Sequence, residues 1–244
     1  MSTTPEKEHT REEYVYLSKL YEKAQRYEDM ISAINDYIEL DPKLTKEERN
    51  ILSAGYKNIL YDKRENRKFL SSMERKEMKK KSKQVIYIQE IKNHIEKEIK
   101  KIVDNVHNII DKYLIPNCED NESKIFYMRL KADHYRYLCE LSKEKEFIEK
   151  AEKIYKEAYN IAIKELPHIN NERIGLCLNL ALFYYEIKGD KNEGYKIAKN
   201  CFEESMKYLE DFQKFKSKEA LMLIQLLKEN LIFWSSEMNE EELN

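Results

Sequence analysis

Four side chains near the middle of the chain are of the types that hold an anion: Arg129, Asp133, Arg136 and Tyr137, within Tyr127-Met128-Arg129-Leu130-Lys131-Ala132-Asp133-His134-Tyr135-Arg136-Tyr137-Leu138. If that run is helical, offsets of four, seven and eight residues bring them to one face. Guanidiniums grip an anion through forked hydrogen bonds, a phenol adds a donor, and a carboxylate can fix a guanidinium in its working rotamer. An exposed, ion-paired face has the same spacing, and spacing alone favours that blander reading. Lys57 and Arg64, two turns apart, form a second cationic stripe that means little by itself. The segment Ile174 to Tyr185 is apolar on every side except for Asn179. A buried amide without partners costs about 1–3 kcal/mol, so Asn179 is either satisfied in a core or lines a groove and bonds a ligand backbone. Near the end, Leu223, Leu226, Asn230 and Trp234 share a face, and an amide again interrupts an apolar stripe.

These groups need helices to position them, and the composition supplies helices. The 244 residues include only 4 Gly and 4 Pro, and apolar residues recur at intervals of three and four from Tyr14 to Trp234. Breaks fall at Asp41-Pro42, at Pro116 to Asn121, at Leu166-Pro167-His168 to Asn171 and at Gly189-Asp190, while Thr45 with Glu48 reads as a capping box. The spacing predicts about nine helices, over 11–26, 27–40, 46–78, 82–114, 121–144, 146–165, 172–188, 193–209 and 216–236. It leaves 1–10 as a disordered N-terminus, 11–236 as a single helical domain and 237–244 as an acidic, disordered tail.

Charged residues make up 37% of the chain, but the net charge is only -2, so the overall balance does not point to nucleic acid. The lysine-rich stretch Arg75 to Lys83 has no interleaved aromatics and reads as a solvated turn between helices. Cys118, Cys139, Cys177 and Cys201 are scattered, which predicts free thiols and no metal site. The start of the chain has no apolar signal segment and no stretch is long enough to span a membrane, so the expected location is the cytoplasm or nucleus. The five histidines are dispersed and no Gly-rich phosphate loop occurs, so no catalytic residues and no cofactor are expected. A tetratricopeptide-like helical scaffold for unmodified peptides is the alternative, because Tyr21 to Pro42 resembles one such hairpin; no period near 34 residues supports it along the whole chain.

From Glu12 to Ser236 the chain resembles the 14-3-3 family. The resemblance rests on Tyr27-Glu28-Asp29-Met30, Glu47 to Asn58, Asp133 to Leu138, Leu178-Asn179 with Phe183 to Ile187, and Gln225 to Leu231 with Trp234, all in order. It implies an all-α fold of about nine antiparallel helices forming a cup-shaped groove, and an adaptor that binds phosphoserine or phosphothreonine segments of client proteins. It implies that Lys57, Arg64, Arg136 and Tyr137 form the phosphate pocket, with Arg129 where the family has lysine. Asp133 and Glu186 would steady the arginines. Asn179 and Asn230 would hold the ligand backbone, and Leu178, Leu182, Leu223 and Leu226, with Trp234 on the last stripe, would form the apolar wall.

The same resemblance implies a homodimer, or a heterodimer with a related chain, joined through Leu20, Ala24, Leu70 and Met73. Arg26 with Glu98 is one expected cross-subunit pair. His94 and Ile91 replace a lysine that pairs with the residue matching Asp29 and a tyrosine, which weakens the rim. Glu65 and Asn66 depart from the family beside the pocket, and Asn170-Asn171-Glu172-Arg173 replaces a more proline-rich approach to the seventh helix.

Overall fold

The computed structural model describes residues 9–142, 144–211 and 217–242. Among these, nine α-helices follow one another: α1 Arg11–Lys23, α2 Tyr27–Leu40, α3 Lys46–Lys79, α4 Val85–Ile109, α5 Asn121–Leu141, α6 Lys145–Glu165, α7 Asn171–Leu182, α8 Lys191–Asp211 and α9 Lys218–Glu242. No described residue lies in a strand. By its contacts, the stretch expected as one domain is two compact units, the first ending at Cys118 and the second beginning at Glu119.

In the first unit, α2 buries Met30, Ile34, Tyr37 and Ile38, α3 buries Leu52, Tyr56 and Leu60, and α4 buries Ile99, Val103 and Val106, all fully. The three- and four-residue spacing makes each set one stripe, so the helices close on a common core. Thr45 and Glu48 do form the capping box, and Glu48 also takes the Arg11 guanidinium at 2.7 Å, tying α1 to the start of α3. Thr10 caps α1 in the same way.

In the second unit, Ala151, Tyr155, Ala158 and Ala162 make a buried stripe on α6, with three small residues of four. Small side chains let α5 and α6 approach closely along their length. Asn170 caps α7 by accepting hydrogen bonds from the backbone N–H groups of Glu172 at 2.9 Å and Arg173 at 3.2 Å. The non-proline approach to α7 therefore ends in an ordinary N-cap.

Helix ends differ from the spacing in ways that have local causes. α1 stops at Lys23 rather than 26, because Gln25 takes a left-handed φ of 57° and the Arg26 N–H bonds back to the Tyr21 carbonyl. The same closure ends α3, with Lys81 at φ 55° and the Ser82 N–H on the Glu77 carbonyl. Neither left-handed position holds the expected glycine. α4 passes into a π turn over Ile110–Leu114, and α7 into another over Phe183–Lys188 that ends at Gly189 with φ 72°. α9 runs on to Glu242, so residues 237–242, expected as tail, continue the helix; residues 1–8 and 243–244 lie outside the described ones. α3 alone is 34 residues long, as long as a whole tetratricopeptide hairpin, and this disfavours the alternative reading.

The π turn after α7 lets α8 come very close. A Cβ built on Gly194 would stand 2.7 Å from the Ala181 carbonyl oxygen and 2.9 Å from the Tyr185 nitrogen. Both obstacles are backbone and cannot swing away, so Gly194→Ala is expected to cost about 1–3 kcal/mol. Gln25→Gly should act the other way: relief of a left-handed penalty of about 1–2 kcal/mol exceeds the glycine entropy cost of about 0.5–1 kcal/mol. Urea unfolding of the two variants beside the parent chain measures both signs.

Candidate functional site

The second unit holds a polar network built on Asp133, whose carboxylate is buried. The Asn179 amide N–H group donates to both of its oxygens, at 2.9 and 2.8 Å, and the Tyr155 hydroxyl donates to Oδ1. Arg129 Nη1 stands 3.6 Å from Oδ2. Tyr155 in turn accepts a hydrogen bond from Arg136, so α5, α6 and α7 are joined through one carboxylate. Burial, and then the Asp133 charge, push the Tyr155 phenol well above its ordinary pKa. It stays a neutral donor at every physiological pH.

Arg136 is the cation that this network aims. Its side chain is 13% exposed, its guanidinium lies over the Tyr137 ring at 5.0 Å, and Glu140 is 4.0 Å away. Burial opposes its charge, but the oxygens of Tyr155, Asp133 and Tyr137 outweigh that and raise its pKa. Its Nε–H is buried and meets no acceptor among the described residues.

Arg129, expected on the same anion, is otherwise engaged. Its Nη2 and Nε lie 2.8 and 3.3 Å from Glu172 Oε2, and its guanidinium is 5.5 Å from the Phe126 ring centre. Glu186, expected to steady an arginine, is exposed in the π turn and makes no ion pair among the described residues. Glu172 holds the place given to it. Neither Glu172 nor Tyr155 stood out by spacing: Glu172 sat at the very start of the seventh expected helix, and Tyr155 occupies a core position of the α6 stripe.

Asn179 is half-buried, and its Oδ1 takes no hydrogen bond among the described residues, which leaves an acceptor beside the network. Around it the apolar residues divide. Leu182 and Leu223 are half-buried, Leu226 is 45% exposed, and Leu178 is buried. Asn230 is half-buried on α9, which packs against α7. Trp234 is not on the open face: it is 2% exposed and stacks on Tyr185 at 4.3 Å. The buried stripe of α9 is Ala220, Ile224, Leu227 and Trp234, so the indole falls with the core. Met222, 68% exposed, was not anticipated there; its offset of four from Leu226 was the available signal.

In the first unit Lys57 is exposed on α3 and makes no ion pair among the described residues. Arg64 is half-buried two turns further on, about 10 Å along the helix. Glu65 is matched by Lys68 at 2.8 Å rather than left as an open charge, while Asn66 is exposed. Leu20, Met73 and Ile91 are 41%, 38% and 53% exposed, Ala24 is exposed and Leu70 half-buried. The polar residues expected to pair across subunits are occupied within the chain: Arg26 with Asp29, and Glu98 with Lys63 at 3.0 Å and His94 at 3.4 Å.

The family model described as 14-3-3 protein matches residues 17–235. The chain is 40% identical over 234 residues to the 14-3-3-like protein GF14-G of Oryza sativa subsp. japonica, covering 94% of this chain and 91% of that one. It is 38% identical over 235 residues to 14-3-3 protein 8 of Solanum lycopersicum, covering 95% and 90%. To 14-3-3 protein eta of Homo sapiens it is 36% identical over 238 residues, covering 95% and 97%. The chain belongs to the 14-3-3 family, whose members are phosphopeptide-binding adaptors.

Proposed function

We propose that Arg136 and Tyr137 hold the phosphate of a phosphoserine or phosphothreonine segment, that Asn179 and Asn230 hold its backbone, and that the cationic stripe of Lys57 and Arg64 contributes to phosphopeptide affinity. Arg136 carries the reading, because it is a partly exposed guanidinium that stays charged beside Tyr155 and lies over the Tyr137 ring. A phosphoserine brings about -1.5 to -2 charges, and each charge-assisted bond contributes about 1.5–3 kcal/mol. A serine hydroxyl offers none of this, so the pocket discriminates by charge. Leu182, Leu223, Leu226 and Met222 give the segment an apolar wall without reading its sequence. The protein acts by binding, without catalysis, in the cytoplasm or nucleus.

We also propose that the chain pairs with a second copy or a related chain through Leu20, Ala24, Leu70, Met73 and Ile91. Exposed apolar side chains on α1, α3 and α4 of one unit support this. With Arg26, Asp29 and Glu98 already paired in the chain, apolar contact is the main force available to join two copies. Two linked grooves would raise affinity for doubly phosphorylated clients by about 10²–10⁴.

Lys57→Glu, at an exposed position, should cut affinity for a phosphoserine peptide at least about 100-fold with an unchanged melting curve. Arg136→Ala should lose binding and also stability, since Asp133 then keeps its charge with one cation fewer. Titration calorimetry and thermal melts read both; undiminished binding in either folded variant would refute the pocket. Affinity should also weaken as pH falls below about 6, where the phosphate takes up its second proton. For the dimer, sedimentation at micromolar concentration is expected to give twice the monomer mass, and a monomer there would refute it.

A further inference from the structure

Glu172, Gly175 and Asn179 lie on one side of α7, at offsets of three and seven. The Arg129 guanidinium lies against this side: a Cβ built on Gly175 would be only 3.9 Å from Arg129 Nε. Glu172 holds it at 2.8 and 3.3 Å, and Asp133 approaches at 3.6 Å. The side chains of Arg129, Glu172 and Asp133 are 20%, 14% and 8% exposed, so water screens the cluster only partly.

We propose that Glu172 attenuates the anion site, holding Arg129 in a compensated pair and setting discrimination against clients with acidic residues beside the phosphate. The proposal rests on the reading of Arg136 as a phosphate ligand. Two cations of this unit, Arg129 and Arg136, face three carboxylates, Asp133, Glu172 and Glu140, so the local field is not positive overall. Arg129 and Arg136 are two turns apart on α5, about 10 Å along its axis. At that separation one unit of charge still changes the affinity of a dianion severalfold. Neutralising Glu172 adds one positive charge to the site without touching Arg136, Tyr137 or Asn179. The freed guanidinium then favours the phosphate and any neighbouring carboxylate.

The test uses the full chain and three fluorescent peptides: a phosphoserine peptide with neutral flanks, the same with aspartates beside the phosphoserine, and its unphosphorylated form. Glu172→Gln is expected to tighten the first roughly 3–10-fold, the second more than the first, and the third not at all. Adding Arg129→Gln to it should remove the gain, which a merely structural role for Glu172 would not predict. Equal or weaker binding of both phosphopeptides by folded Glu172→Gln overturns the proposal. If the parent chain binds no phosphopeptide, the pocket reading fails instead. Melting curves accompany each variant, and Glu172→Met, similar in length and needing no hydrogen bond, carries the same expectation if Glu172→Gln does not fold. Failure of both to fold also overturns the proposal, since the pair would then be a structural clamp.

Discussion

A carboxylate buried among three helices organises the second unit. Placing Asp133 out of water costs several kcal/mol unless its lone pairs are filled and its charge is matched; Asn179 and Tyr155 donate to it, and Arg129 stands near as a countercharge. Each of these partners lies on a different helix or turn of helix, so satisfying one charge fixes the registers of α5, α6 and α7 together. Arg136 gains its position second-hand, through Tyr155. Another local feature serves the same packing: Gly194 lets α8 close on the π turn that follows α7.

On the proposed reading, this arrangement makes a binding site selective. Donors aimed by buried partners need little reordering when an anion arrives, so more of the interaction energy appears as affinity. On the proposed reading, amides at Asn179 and Asn230 and the side chains of Leu182, Leu223, Leu226 and Met222 would recognise features common to any extended peptide. Selectivity would then concentrate in charge, both the charge supplied by Arg136 and the charge withheld where Glu172 holds Arg129.

Much of this was legible in the sequence, because helical period and capping are local. The boundaries of α2 and the Thr45–Glu48 capping box were readable as they stand. The end of α1 was not, since Gln25 takes a left-handed conformation that ordinarily announces itself by glycine. The π turns were hidden for a related reason: one extra residue in a turn barely disturbs an apolar run such as Leu180 to Ile187. Spacing found the Arg129, Asp133, Arg136 and Tyr137 stripe but could not say which carboxylate holds which arginine. The choice of Glu172 over Glu186 depends on α7 lying beside α5. Trp234 was misplaced because it sits at the edge between the buried and open faces of α9, where a small rotation decides the outcome.

The central claim is that the Arg136 guanidinium is kept for a phosphate. It can be read directly from the side-chain ¹H–¹⁵N signal of Arg136 while a peptide is titrated in. A phosphoserine peptide should move that signal strongly downfield, with coupling to ³¹P, and the unphosphorylated peptide should leave it in place. A signal that stays fixed while the phosphopeptide binds elsewhere on the protein would contradict the account.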